Sequence, residues 1–374
     1  ITSTGTVSGA LSGLFARNFG TGALRITTYD VEGFDGDHVK NTANGINAEA
    51  HGTGLTITSS GTVSGTGSGI AARNMGTGSA TISAVNATGG AFEGIYALTS
   101  FTGTDLTVTS TGRISGATHG IRAQNDGTGT TTVTAHDVLG SSKDGIYARG
   151  ASTSADITIT GSVYGGRNGV GLDVAGPNTI TITGTGALSG GDKAINTTVN
   201  TPASDDTVVN YGTVTGDVDL GGGTNSFDNR SGGLFKSAST VNLGAGNTLT
   251  NEGDLSPGGT GAIQTTALTG NFVQTSSGTF SVDMNSEAST VDRINISGTA
   301  TLSGNVKVNP LNLVDPTKTL TILSAAGGVT NNGLTARDTV VVDYTLVFPN
   351  ATDVAIGNQY IDFTPVAPDG TSQL

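Results

Sequence analysis

A repeat constrains this chain more than any other feature. Ile57-Thr-Ser-Ser-Gly-Thr-Val-Ser-Gly65 differs at one position from Ile1-Thr-Ser-Thr-Gly-Thr-Val-Ser-Gly9, and Val108-Thr-Ser-Thr-Gly-Arg-Ile-Ser-Gly116 varies the same string. A second signature, Gly-Ile-x-Ala and its variants, begins at Gly13, Gly45, Gly69, Gly94, Gly120, Gly145 and Gly169, at intervals of 32, 24, 25, 26, 25 and 24 residues. Lys193-Ala-Ile-Asn196 continues it in degenerate form, and the long first interval holds an insertion, Gly33-Phe-Asp-Gly-Asp-His-Val-Lys40. Such a period marks a small unit that cannot bury its own apolar face and must stack on its neighbours.

Each unit reads as three short extended segments. One clear example is Leu55-Thr-Ile-Thr-Ser59, Gly61-Thr-Val-Ser-Gly65 and Gly69-Ile-Ala-Ala-Arg-Asn74. Alternating polarity and β-branched residues make these strands. A propeller blade needs four strands in about 40 residues. Three strands in about 25 residues suit one coil of a parallel β-helix. The alternation predicts three inward columns: Ile1, Ile26, Ile57, Ile82, Val108, Val133, Ile159 and Ile182; Val7, Val31, Val63, Val85, Ile114, Val138, Val163 and Leu188; and Leu14, Ile46, Ile70, Ile95, Ile121, Ile146, Val170 and Ile195. A fourth, small column of Ala16, Ala48, Ala72, Ala97, Ala123 and Ala148 is expected near a corner, where the core narrows. Each buried Ile or Val stabilises by about 1.5–3 kcal/mol.

Composition agrees. Thr, Ser, Val and Ile abound while Glu, Lys and Leu are rare, which excludes a helical protein. The 60 glycines follow no collagen triplet and are expected in turns that need permissive backbone angles. With 34% hydrophobic and only 12% charged residues the chain is not disordered. A net charge of −13 argues against a nucleic-acid surface. No apolar run reaches the roughly 18–20 residues of a membrane helix. The chain starts at Ile1 without a signal sequence, so it reads as a processed or excised fragment. Cysteine is absent, which excludes disulfides and thiolate metal sites.

The rhythm divides the chain into regular coils over 1–204, shorter and less regular coils over 205–291, and a C-terminal cap over 292–374. Asn210-Tyr-Gly212, Asn229-Arg-Ser-Gly232 and Asn251-Glu-Gly253 end the shorter units. The C-terminal third carries Asp292-Arg-Ile-Asn-Ile-Ser-Gly298, Ala300-Thr-Leu-Ser-Gly-Asn-Val-Lys-Val308 and Thr319-Leu-Thr-Ile-Leu-Ser-Ala-Ala-Gly327. Upstream lie Val214-Thr-Gly-Asp-Val-Asp-Leu-Gly221 and Asn251-Glu-Gly-Asp-Leu-Ser-Pro-Gly258. At motif level, roughly residues 205–350 resemble the end of a bacterial autotransporter passenger domain, pertactin-like, with a C-terminal autochaperone region. The resemblance implies a right-handed parallel β-helix, export through the outer membrane to the cell surface or medium, and a translocator barrel that this stretch does not contain.

No enzymatic constellation stands out. Gly-x-Ser-x-Gly, Gly-Asp-Ser-Gly and His-Glu-x-x-His are all missing. His38, His51, His119 and His136 fall singly near turns and read as exposed loop residues. Leu220-Gly-Gly-Gly-Thr-Asn225 only loosely resembles a calcium-binding nonapeptide and reads as a glycine turn. Asp35, Asp37, Asp205, Asp206, Asp217 and Asp219 read as solvated loop carboxylates that favour solubility. No catalytic residue, metal or cofactor is expected.

Two outward columns carry more information. The variable position of Gly-Ile-x-Ala gives Phe15, Asn47, Ala71, Tyr96, Arg122 and Tyr147, so stacking places Tyr96, Arg122 and Tyr147 side by side. Exposed aromatics and arginine are what binding hot spots use, and Phe15, Tyr96, Arg122 and Tyr147 are the candidate binding stripe. A threonine ladder runs through Thr2, Thr27, Thr58, Ser83, Thr109, Thr134, Thr160 and Thr183, flanked by Thr56, Thr81, Thr107, Thr132, Thr158 and Thr181. Threonine suits solvated strands and stacks on itself, which accounts for the ladder without a ligand. A flat Thr-x-Thr array also resembles the ice-binding faces of β-helical antifreeze proteins. The leading expectation is a non-catalytic adhesin that holds a host surface, matrix component or glycan through the side of the rod. Self-association of rods comes second, a polysaccharide-acting enzyme third and ice binding fourth.

Overall fold

A computed structural model describes residues 1–36, 42–198, 203–312 and 318–360. They form a β-solenoid of about 12 turns with a spacing of about 25 residues, mostly parallel and without helix. Each regular coil has three strands. A first-face strand such as Leu106–Ser110 leads into a second-face strand, Arg113–Gly116, and then a third-face strand, Ile121–Asn125. Each pairs in register with its counterparts one coil before and one coil after.

In-register stacking turns the sequence repeat into columns. The first face stacks Ile26, Ile57, Ile82, Val108 and Val133. The third stacks Leu14 through Ile195, with the alanine column beside it ending at Leu172. These side chains are buried along the axis and join one continuous core. Beyond residue 205 the core changes material. Phe227, Leu249 and Phe272 continue the first-face column, and Phe227 stacks on Phe235 at 4.5 Å between ring centroids.

Three details differ from the expected columns. Ile1 keeps its register beside Ile26 but is 58% exposed, at the end of the stack. Ala87, not Val85, pairs with Val63 and Ile114, because that coil turns its corner with one residue fewer. Val133 pairs with Ile157, and Ile157 with Ile180, so Ile159 and Ile182 occupy a neighbouring inward column above Ala135. A slip of two residues keeps every side chain on its face, so alternation alone does not fix this choice.

That neighbouring column ends in amides. Asn210 Nδ2 donates to Asn229 Oδ1 at 2.8 Å, Asn229 Nδ2 to Asn251 Oδ1 at 2.8 Å, and Asn251 Nδ2 to Gln274 Oε1 at 3.2 Å. All four are 0–1% exposed. The asparagines that end the shorter units, with Gln274, are thus a buried hydrogen-bonded ladder.

Parallel pairing runs on past residue 292, to Val329–Arg337. Antiparallel pairing closes the C-terminal end, where Asp353–Tyr360 lies between Thr319–Ala325 and Val342–Val347. Near it Asp292 is fully buried, accepting the Gln264 N–H at 2.7 Å and the Asp283 N–H at 2.8 Å. Burial pushes its carboxyl up to about 7 against the pull of those two bonds, and the Asp283 charge adds to the rise.

The glycines act by close approach. The regular-coil glycines Gly69, Gly94, Gly120 and Gly145 have no positive φ. A Cβ on Gly120 would lie 2.3 Å from Val138 Cγ1 and 2.8 Å from the Gly145 carbonyl. A Cβ on Gly116, at the other side of the same corner, would lie 2.0 Å from the His119 carbonyl. Coil after coil, the corner between second and third faces has backbone where a side chain would be. Left-handed glycines concentrate beyond residue 200.

Two predictions follow from this packing. Gly120→Ala should destabilise the fold by about 1–3 kcal/mol through overpacking, whereas Gly5→Ala, with nothing within 4 Å, should be close to neutral in the same denaturant titration. Asp292 favours its protonated form more in the folded than in the unfolded chain. Its stabilising contribution is therefore full below the ordinary carboxyl pKa of about 3.9 and is lost as pH rises through about 7. Thermal melts of the native chain should lose this contribution between about pH 4 and 7, and Asp292→Asn should lack that part of the slope.

Candidate functional site

The outward stripe has the register read from sequence. Phe15, Asn47, Ala71, Tyr96, Arg122 and Tyr147 pair in succession on the third face, followed by Gly171. Two residues on, Arg17, Glu49 and Arg73 form the adjacent column. Phe15 is 58% exposed, with the Arg17 guanidinium 5.0 Å from its ring centroid. It lies near the end of the rod, away from the cluster around Tyr96.

Tyr96 is the centre of that cluster. The Arg73 guanidinium from the preceding coil sits 5.4 Å from its ring centroid, and that of Arg122 from the following coil 5.1 Å. Its ring therefore serves as a cation platform rather than a free flat surface. Thr42, Asn44, Ser68, Ala71, Phe92 and Glu93 complete a groove of about 400 Å³ around these three residues. Phe92, 48% exposed, is the aromatic side chain at the groove that remains open to a partner.

Tyr147 is corrected by the structure. It is 7% exposed, not part of an open stripe. Its ring stacks on His119 at 5.3 Å, and its hydroxyl donates to Asp173 Oδ2 at 3.4 Å. The room comes from Gly171 in the next coil, where a Cβ would press on Asp144 Oδ2 at 2.9 Å and on the Tyr147 ring at 3.4 Å. Burial and the charge of Asp173 hold the Tyr147 phenol above its ordinary value.

His119 is also corrected: it is 4% exposed. It occupies the position before the signature glycine, a column that also holds Asn44, Ser68, Glu93, Asp144 and Asn168. Its Nδ1 lies 3.8 Å from Glu93 Oε1 and its Nε2 3.8 Å from Asp144 Oδ2. Asp144, with 0% of its side chain exposed, accepts from Arg167 Nε and Asn168 Nδ2, both at 2.9 Å. That hydrogen bond to Asp144, opposed by burial, leaves the Arg167 guanidinium above its ordinary value. Burial raises the Glu93 carboxyl, but His119, its own backbone N–H and the Arg122 charge outweigh that and hold it below the usual range. The sequence signal for this row was the polar residue before each Gly-Ile, which a search for histidine clusters passes over.

The threonine array is real but its members change. Thr27, Thr58, Ser83, Thr109 and Thr134 stack, and Thr158 and Thr181 continue the column. Thr160 and Thr183 do not belong to it. They sit at the corner and turn their hydroxyls back onto the Ala135 and Ile159 carbonyls, at 3.1 and 3.0 Å. The second column runs Thr56, Thr81, Thr107, Thr132, Asp156 and Thr179. Among the described residues the hydroxyls of the threonines in these two columns make no hydrogen bond to protein.

The remaining candidates have structural partners. Asp206 is 1% exposed rather than solvated, held by Asn178 Nδ2 at 2.8 Å and the Ser204 hydroxyl at 3.0 Å, and burial raises its carboxyl. Asp35 and Asp205 accept from the backbone N–H of Ala43 and Thr224, Asp217 accepts from Thr240, and Asp219 pairs with Lys193 Nζ at 2.6 Å. Asn225 bonds the Leu243 carbonyl of the next coil. His51 meets Glu49 at 2.6 Å and stacks on Phe19. Asp37 and His38 lie outside the described residues. Among the described residues no group of three or more His, Asp or Glu is placed to hold a metal ion.

The chain matches no protein-family model and no curated protein sequence.

Asp144→Ala should cost about 1–3 kcal/mol of stability, because the Asn168 donors lose their acceptor inside the rod. The loss should appear in denaturant titration together with a change in Tyr147 fluorescence, since the phenol packs over the same spot.

Proposed function

We propose that this chain is the passenger of a bacterial autotransporter, displayed on or released from the cell surface, and that it acts as a non-catalytic adhesin. It holds a host surface, matrix component or glycan through the side of the rod. The observation that carries this reading is the groove at Tyr96, where stacked coils gather two arginines and Phe92 on one open face. Aromatic and arginine side chains are the residues binding surfaces depend on. The passenger motifs of residues 205–350 support the secretion route. Among the described residues Glu93 is the one carboxylate lining the groove, and Asp144, on the far side of His119, is buried; hydrolysis or elimination by paired carboxylates needs two that reach the substrate.

The test is attachment of the purified chain to host cells, immobilised matrix proteins and a broad glycan array. We expect saturable binding to at least one of these, weakened about tenfold or more by Arg122→Ala combined with Arg73→Ala. No attachment across the whole panel would overturn the reading.

The threonine face favours a second reading, in which rods associate side by side. Among the described residues the threonine hydroxyls of its two columns are unpartnered, and from Thr56 to Thr134 these columns carry no charge on a chain of net charge −13. Sedimentation velocity over a concentration series should then show association, and a monomer throughout would remove it.

A further inference from the structure

Within the proposed binding role, on which this inference rests, the groove at Tyr96 also specifies a chemistry. Arg73 and Arg122 approach one ring from successive coils. Each guanidinium carries five N–H donors but makes one hydrogen bond among the described residues, Arg73 Nη1 to Asn47 Oδ1 and Arg122 Nη2 to Gln124 Oε1, both at 3.2 Å. The Arg122 Nε–H is buried and makes none. The nearest carboxylate, Glu93, lies 3.8 Å from Arg122 Nη1, beyond hydrogen-bond distance, and is drawn toward His119 on its other side. Glu93 thus offsets one of the two cations; Glu49, beside Arg73 in the neighbouring coil, is engaged by Arg17 and His51, so the described lining residues carry two guanidiniums and one carboxylate on a chain whose net charge is −13. Free, planar guanidinium donors held in place by an aromatic platform match an oxyanion.

We propose that the groove binds an acidic saccharide. Its carboxylate or sulfate lies against the Arg73 and Arg122 guanidiniums, and the apolar face of its ring rests on exposed Phe92. The size agrees, since about 400 Å³ falls within the range of small-ligand clefts. Asn44 lies on the groove wall with its Oδ1 taken by the Ser68 N–H, so its Nδ2 is the amide donor on offer to a sugar hydroxyl. Charge and geometry together disfavour a neutral glycan, which would leave the excess positive charge of the groove unanswered.

The test is calorimetric binding of the purified chain to three tetrasaccharides: one of hyaluronan (carboxylate only), one of chondroitin sulfate (carboxylate and sulfate), and one of chitin (neutral). At least one acidic oligosaccharide should bind about tenfold or more tightly than the neutral one, and the affinity should fall as salt rises. Arg122→Gln should lower it about tenfold or more, and Arg73→Gln should act the same way if the first variant folds poorly. Glu93→Gln should strengthen binding by removing the nearby negative charge, which a merely structural role of the cluster would not produce. If chondroitin sulfate binds and hyaluronan does not, the oxyanion is the sulfate. Equal affinity for the neutral oligosaccharide, or affinity unchanged in both arginine variants, overturns the proposal. Attachment to cells or matrix that survives both arginine variants sinks this proposal while leaving the adhesin reading in place. Acidic-sugar binding without attachment to cells or matrix upholds this proposal and leaves the chain a saccharide binder rather than a host adhesin.

Discussion

Backbone hydrogen bonding between consecutive coils is the interaction on which everything else in this molecule rests. It fixes the distance between coils at the strand spacing of a sheet, about 4.8 Å, and holds residues of equal rank directly above one another. Given that spacing, a repeated sequence becomes a set of columns, and each column needs only to be tolerable to itself. Ile on Ile, Ala on Ala and Asn on Asn all satisfy that condition. The same spacing leaves no room for a Cβ at the corner between the second and third faces. This is why Gly94, Gly120 and Gly145 recur, although their φ angles are ordinary.

A structure built from self-compatible columns reserves its chemistry for the places where a column changes identity. The row before the signature glycine is such a place. It runs through Ser68, Glu93, His119, Asp144 and Asn168, so a carboxylate, an imidazole and a second carboxylate are stacked where the backbone would accept any polar residue. The stripe beside it changes from Ala71 to Tyr96 to Arg122 in the same coils. Both breaks fall together, and the groove lies over them.

What the sequence made legible was periodicity; what it hid was depth. The fold class, the third-face column from Leu14 to Ile195 and the order of the outward stripe follow from spacing alone. The exchange of Val85 for Ala87 was hidden because corner length varies by one residue and the β-branched residue of that corner lies two positions before the inward one. The choice between Ile157 and Ile159, and with it the placement of Thr160 and Thr183, was hidden because both registers keep the same faces. Tyr147 and His119 looked exposed for a third reason. Their burial depends on each other and on the empty space at Gly171, three positions in three different coils. A periodic reading treats each position within its own column, so contacts between columns escape it.

The asparagine ladder has a mechanical consequence. Its amide bonds, like the backbone bonds beside them, point along the rod from one coil to the next. Tension applied along the axis therefore loads all the bonds of one interface together, while successive interfaces bear it in series. Such a rod does not stretch gradually. It gives way one coil at a time at its weakest junction. At the junctions bridged by Asn210, Asn229, Asn251 and Gln274 a buried amide bond shares that load with the backbone ladder.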